Sequence, residues 1–182
     1  MEDLLLYSVS DFYITYLRKS VSGVYDNKDG ARSHTRKYLG VVLKIDHYNY
    51  YIPLSSPKSS DFMTKNNTKF IRKSIVPIER ITTINSQGDM ELLGTLRISH
   101  MIPVPDSELL HYDLDNEPDQ RYKNMVQEQM IYLRKNKKKI LSNAKLIYKQ
   151  KIQNDTTANY VSNSLNFKLL ESKCDQYIRC KR

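Results

Sequence analysis

The stretch Tyr38-Leu39-Gly40-Val41-Val42-Leu43-Lys44-Ile45-Asp46-His47-Tyr48-Asn49-Tyr50-Tyr51-Ile52-Pro53-Leu54-Ser55-Ser56-Pro57-Lys58 decides how this chain folds. β-Branched and aromatic residues fill Tyr38 to Ile45 and Tyr48 to Leu54, and only Asp46-His47 separates the two runs, which predicts an antiparallel hairpin. Residues facing each other across such a hairpin have numbers with a constant sum, about 93 for a turn near residue 46. That register sets Arg36, just before the first strand, across from Pro57-Lys58 at the end of the second. One sheet edge then gathers two cations and the hydroxyls of Ser55 and Ser56. Hydroxyls donate and accept, an ammonium donates, and turn N–H groups form an anion-holding concavity, so the edge suits a phosphate. Pro53 and Pro57 stiffen the backbone on either side. A polar turn after a strand is also often only a turn, and the reading needs support from the rest of the chain.

Outward from the hairpin, Ser10-Asp11 reads as a helix start, with Phe12, Tyr13, Tyr16 and Leu17 as its apolar stripe. Gly23 to Arg36 is a polar loop with Asp26-Asn27-Lys28-Asp29-Gly30 as turn material. Lys69 to Arg72, Ile75 to Ile84, Met90 to Ser99 and Met101 to Val104 read as further strands. Pro118-Asp119 then opens a helix whose buried face is Tyr122, Met125, Val126, Gln129, Met130 and Leu133. A further helix is expected from Ser142, and a last one from Leu165 to Ile178 through Leu169, Leu170, Cys174 and Tyr177. Strands followed by helices imply an α+β fold, and residues 1–182 suit a single domain.

Lys and Arg number 29 against 20 acidic residues, and the net charge of +9 favours a polyanionic partner. The charge is uneven: Lys137, Lys138 and Lys139 belong to a basic run with no acidic residue from Gln129 to Asn154. Such a run is either a solvated face or a nucleic-acid surface. Fourteen tyrosines and no tryptophan supply rings that can stack on unpaired bases, although most will be core or strand residues. No apolar run approaches a membrane span, and Met1-Glu2-Asp3-Leu4-Leu5-Leu6 is too short and wrongly charged for a secretory signal. The chain is expected to be cytoplasmic, without membrane contact. Cys174 and Cys180 lack a second pair and read as reduced thiols, Cys174 packing the terminal helix.

Other chemistries find little support. His34, His47, His100 and His111 are scattered, without metal-ligand spacing, and a lone His is most often a surface or hydrogen-bonding residue. The five glycines are isolated and form no phosphate loop. Asp113 and Asp115 sit in an acidic loop and read as solvated. A reaction without metal or cofactor is the natural enzymatic reading. RNA permits it, because its own 2′-hydroxyl attacks the adjacent phosphate when a protein aligns it and neutralises the developing charge.

Arg36-Lys37-Tyr38-Leu39-Gly40-Val41 leading to Pro53-Leu54-Ser55-Ser56-Pro57-Lys58, with His100-Met101-Ile102-Pro103 downstream, Tyr13-Ile14-Thr15-Tyr16-Leu17 upstream and the Tyr122 to Leu133 helix, resembles the ToxN/AbiQ family, the RNA-cleaving toxins of type III toxin–antitoxin systems. The resemblance is strongest from Arg36 to Lys58 and faint after Ser142. It implies a compact, strongly bent antiparallel sheet with packed helices, akin to MazF-type toxins. It further implies a metal-independent endoribonuclease of phage abortive infection that cuts single-stranded cellular or phage RNA to 2′,3′-cyclic phosphate and 5′-hydroxyl ends. In its terms Lys58 stabilises the scissile phosphate, Ser56 and Ser55 hold the phosphate or the 2′-hydroxyl, and Arg36 is a second clamp. Tyr13 matches a tyrosine of the first helix and lines the site. Tyr25, Arg32 and Lys37 join it in binding RNA, and Gln127 stands where related toxins can carry a tyrosine. The implied partner is a small, pseudoknot-like repeat RNA antitoxin, processed by the toxin and inhibitory, in a closed protein–RNA ring. The alternatives are a noncatalytic basic RNA-binding regulator and, third, a DNA-binding protein, for which no helix-turn-helix signal is found.

Overall fold

The computed structural model describes residues 4–28 and 34–181. Arg32 lies outside the described residues. In chain order the elements are β1 (Leu5–Val9), α1 (Asp11–Arg18), β2 (Lys37–Ile45), β3 (Tyr48–Ser55), β4 (Phe62–Lys65), β5 (Thr68–Ile71), β6 (Ile78–Ile84), β7 (Met90–Arg97), β8 (Ile102–Pro103), β9 (Leu109–His111), α2 (Gln120–Lys135), α3 (Lys137–Ile152) and α4 (Phe167–Cys180). The fold is α+β, as the pattern of elements predicts.

β2 and β3 form the expected hairpin around Asp46-His47. Near the turn Ile45 faces Tyr48 and Leu43 faces Tyr50, the register expected from the sequence. Beyond an irregularity between Leu39 and Leu43 the pairing changes, so that Leu39 faces Ile52 and Tyr38 faces Pro53, two residues short of that register. Gly40 sits in this irregular stretch, and a Cβ there would lie 2.1 Å from Cδ1 of Tyr51. The tyrosine ring occupies the space that any larger residue at position 40 would need.

The main sheet runs β6-β7-β3-β2-β1-β9, every pair antiparallel. The far edge of β3 is shared: β8 pairs with Tyr50-Tyr51, and β7 takes over at Leu54-Ser55. The change of partner falls at the end of β3, where the hydroxyl-bearing turn begins. β4 and β5 form a separate two-stranded hairpin.

Helix α1 starts where expected, the Ser10 side chain accepting the Tyr13 N–H at 3.2 Å. Its buried face is Tyr13, Ile14 and Leu17, whereas Phe12 is 81% exposed. The expected stripe was displaced by one position around the helix. Asp119 caps α2 by accepting the Tyr122 N–H at 3.0 Å, and Val126, Gln129, Met130 and Leu133 are buried. α3 begins at Lys137, not Ser142: its buried face starts at Ile140 and continues through Ala144 and Ile147, and the three lysines before Ile140 form its first turn, lysine being a good helix former. In α4 Leu170, Cys174 and Tyr177 are buried and Leu169 is 36% exposed. The Tyr50 and Tyr148 hydroxyls both donate to the buried carboxylate of Glu171, at 2.8 and 2.7 Å, which satisfies them inside the core.

Candidate active site

The change of register moves Arg36 away from Lys58 and onto Leu54-Ser55. Arg36 is only 3% exposed; its Nη1 donates to the Leu54 carbonyl at 2.8 Å and to Ser55 Oγ at 2.9 Å, and its Nε donates to the Asp26 carbonyl at 2.9 Å. A guanidinium so committed orients Ser55 and ties the Asp26 loop to the strand end. Ser55, the last residue of β3, is buried. Ser56 and Lys58 are exposed.

These residues line one cleft of about 610 Å³. One wall is His34 to Lys37 with Leu54 to Lys58, and the other is α2, through Tyr122, Met125 and Gln129. Gln129 is positioned by donating to the Leu93 carbonyl at 2.9 Å. Tyr122, expected on the buried face of its helix, stacks its ring on His34 with centroids 3.8 Å apart and lines the cleft. Gln127, by contrast, is exposed and is not among the residues lining the cleft. Lys37 lines it too, its Nζ 3.2 Å from Ser8 Oγ and above the Tyr112 ring, and burial lowers its pKa.

The turn bearing Lys58 is held from below. The Lys58 N–H donates to Asp61 Oδ2 at 3.0 Å, and the carboxylate of Asp61, 0% exposed, pairs with Arg80 at 3.1 Å and Arg97 at 3.3 Å. Tyr25 meets the site from the side. Its ring lies 4.9 Å from the Arg36 guanidinium carbon and 5.8 Å from Lys58 Nζ, and its other contact is a flat stack on His100. Burial, then the charges of Arg97 and Lys58, lowers the His100 pKa to about 4. His100 is thus a neutral ring at the site's flank, with Nδ1 at 3.0 Å from Ser99 Oγ. Sequence reasoning set it aside as one of four scattered histidines, although it opens the His100-Met101-Ile102-Pro103 segment that carried part of the resemblance.

One expectation is corrected. Tyr13 does not line the site: its side chain is fully buried, its hydroxyl donates to the Pro103 carbonyl at 2.8 Å, and its ring packs against Tyr177, so it has no face for a base. The lysine run opens α3 and does not line the cleft; from Gln129, the cleft residue nearest the C-terminal end of α2, to Asn136 is roughly 10 Å at 1.5 Å per residue. Lys139 is engaged with the buried Glu79 at 2.8 Å, which also accepts the Tyr132 hydroxyl at 2.6 Å. Among the described residues, no cluster of His, Cys, Asp and Glu is arranged to hold a metal ion, and no helix is long and apolar enough to cross a membrane.

A cationic, hydroxyl-lined cleft at the end of an antiparallel sheet is the architecture of an anion-binding protein. Residues 5–175 match the family model of the toxin ToxN of type III toxin–antitoxin systems, and the chain belongs to that family. It is 36% identical over 174 residues to the endoribonuclease AbiQ of Lactococcus lactis subsp. lactis, covering 96% of this chain and 89% of that protein. The solved structure of AbiQ, described as a lactococcal anti-phage endoribonuclease of the type III class, superposes with a TM-score of 0.76 at 31% identity, covering 98% of this chain and 99% of that one. A second solved structure, from a bacterial antiviral system regulated by a processed non-coding RNA, gives a TM-score of 0.77 at 27% identity over 94% of this chain and 97% of that one.

Proposed function

We propose that this toxin is an endoribonuclease that cuts single-stranded RNA in the cleft between the β2–β3 strand ends and α2, without a metal ion. The observation that carries the reading is the convergence of Lys58, Ser56, Ser55 and Arg36 on one cleft, with Tyr25 beside Lys58 and Arg36. The endoribonuclease name of a relative that spans nearly the whole chain supports it.

In this reaction the 2′-oxygen of one nucleotide bonds to the neighbouring phosphorus and the bond from phosphorus to the 5′-oxygen breaks. The 2′-hydroxyl gives up its proton and the leaving 5′-oxygen takes one, so the ends are a 2′,3′-cyclic phosphate and a 5′-hydroxyl. Lys58, exposed at the cleft, neutralises the charge growing on the non-bridging oxygens and is suited to protonate the leaving oxygen. Ser56 holds the phosphate or the 2′-hydroxyl. Ser55, held by Arg36, presents its oxygen in one fixed direction, and the Arg36 charge lies close behind it. The hydroxyls and fixed cations act by positioning, which is most of what an internal nucleophile requires.

The same groups suit the RNA partner of a type III system: a small repeat RNA, pseudoknot-like in form, that the toxin cuts from a precursor and that then occupies the cleft, in a closed ring of proteins and RNAs. The toxin would act in the cytoplasm on cellular and phage RNA during abortive infection. Regulation by a processed non-coding RNA in a structurally similar antiviral system supports this part.

The test is cleavage of single-stranded RNA by the purified protein in excess chelator, with DNA of the same sequence as control. Cleavage of RNA alone, yielding cyclic phosphate and 5′-hydroxyl ends, is expected. Activity restored only by magnesium or manganese, or products ending in a 3′-hydroxyl, would overturn the mechanism. Tight RNA binding without cleavage would favour the noncatalytic regulator.

A further inference from the structure

The β4–β5 hairpin pairs with no other strand of the sheet among the described residues. A lone two-stranded hairpin is marginal in water, yet this one is held at both ends. At its tip Asn66 and Asn67 have φ of 49° and 59°, the two left-handed positions of a type I′ turn that fits the strand twist. At its root the Arg72 N–H donates to the Asp61 carbonyl at 2.9 Å, and Arg72 Nε to the Phe62 carbonyl at 3.0 Å. The carboxylate of the same Asp61 holds the Lys58 N–H and pairs with Arg80 and Arg97. The hairpin and the Lys58 turn are therefore fixed to one another through one buried residue.

One face of the hairpin has a distinct chemistry. Strand alternation places Met63 and Lys65 with Thr68 and Phe70 on the same side, Met63 directly across from Phe70 and Lys65 across from Thr68. Phe70 is 48% exposed and Met63 43%. From Phe62 to Lys73 there are four cations, Lys65, Lys69, Arg72 and Lys73, and no acidic residue. On the Phe70 face Lys65 is the strand cation, while Lys69 lies over the Phe62 ring at 4.0 Å on the other face; an exposed ring with a cation on its own face matches single-stranded nucleic acid, which offers a base to stack and phosphates to neutralise. Two apolar side chains fall far short of the roughly 800 Å² per partner that a stable protein interface buries, which argues against a protein or a second copy of the chain.

We propose that the β4–β5 hairpin is an RNA-docking arm for the nucleotides flanking the phosphate at Lys58, with Phe70 stacked on a base, Met63 beside it and Lys65 on a neighbouring phosphate. The placing of the cut phosphate at Lys58 rests on the endoribonuclease reading. Four strand residues span roughly 13 Å, a length that holds two or three nucleotides of the strand leaving the cleft.

The experiment compares Phe70→Ala, Phe70→Trp and Lys65→Gln with the parent protein. Affinity is read with a long mixed-sequence RNA carrying 2′-deoxy substitutions that prevent cleavage, and cleavage is read on long RNA and on tetranucleotides that fill only the cleft. Phe70→Ala is expected to weaken binding of the long RNA roughly 5- to 100-fold, Phe70→Trp to restore it, and neither to change tetranucleotide cleavage. Lys65→Gln should flatten the salt dependence by about 0.7 in the log–log slope. Unchanged affinity of Phe70→Ala for long RNA would overturn the proposal. Equal losses on long RNA and tetranucleotide would overturn it in favour of a structural role, and a change in self-association with RNA affinity intact would overturn it in favour of a second copy. If the parent cuts no RNA but binds it in a Phe70-dependent way, the arm stands and the endoribonuclease reading falls.

Discussion

The rings of Tyr25 and His100 lie flat against each other, their centroids 4.7 Å apart and their planes 8° from parallel. Tyr25 in turn faces the cations Arg36 and Lys58, so the stack holds an aromatic ring beside two charges of the site. Because His100 is held neutral with a pKa of about 4, and an unfolded histidine titrates near 6.5, the unfolded chain binds the extra proton first as pH falls. Stability from this group is thus complete above about pH 6.5 and is lost progressively down to about pH 4. Thermal denaturation across that window should show a falling Tm for the parent and a shallower fall for His100→Gln. Parallel curves would show that the histidine does not report on acid stability.

Lys58→Ala and Ser56→Ala should each lower RNA cleavage by roughly 10²-fold or more, with RNA affinity reduced only modestly and the fold intact, since both side chains are exposed. Arg36→Ala is a different case. It strips Ser55 Oγ and the Leu54 and Asp26 carbonyls of their donor, so both activity and Tm should fall. Cleavage rates beside circular dichroism melts distinguish the two patterns, and an Arg36→Ala protein with parental Tm and lost activity would assign the guanidinium to the chemistry alone.

Asp61→Asn removes the charge between two guanidinium groups and should destabilise the protein by roughly 3–5 kcal/mol, the range for breaking a buried ion pair by removing one partner. Denaturant unfolding measures the loss. Because Asp61 also holds the Lys58 N–H, the surviving folded fraction should cleave more slowly than the parent, whereas full activity per folded molecule would show that the Lys58 turn keeps its shape without this anchor.

For the lysine run, Lys137→Gln with Lys138→Gln should reduce the salt dependence of antitoxin RNA binding by about 0.7 in slope for each phosphate released. Lys139→Gln should behave differently and lower Tm, because it leaves the buried Glu79 carboxylate without its cation. Filter binding over a salt series is the measurement, and an unchanged slope in the double variant would mark Lys137 and Lys138 as a solvated face.

The local signals were read well. Ser10 and Asp119 cap the helices they were expected to cap, because a side-chain acceptor before an apolar helical period is a short-range feature. The hairpin followed from two β-branched runs and one polar break. The α3 start was misplaced because a run of lysines carries no apolar period, and only the burial of Ile140 and Ala144 reveals the helix beneath it. Phe12 left the expected stripe for a similar reason: it is adjacent to Tyr13 in the chain, and only the neighbours that cover one side of α1 choose which ring is buried.

The sequence by itself determined the α+β order of elements, the basic and hydroxyl-bearing turn from Ser55 to Lys58, and the family. These depend on residue type and spacing over a few positions. The tertiary structure alone decided that Arg36 meets Ser55 instead of Lys58, since a Tyr51 ring over Gly40 accompanies a two-residue change of register that no local pattern encodes. It alone placed His100 against Tyr25, and Arg80 and Arg97 around Asp61, from positions far apart in the chain. Contacts between distant residues depend on how the sheet bends and which strand pairs with which edge, and those are settled by packing of the whole core.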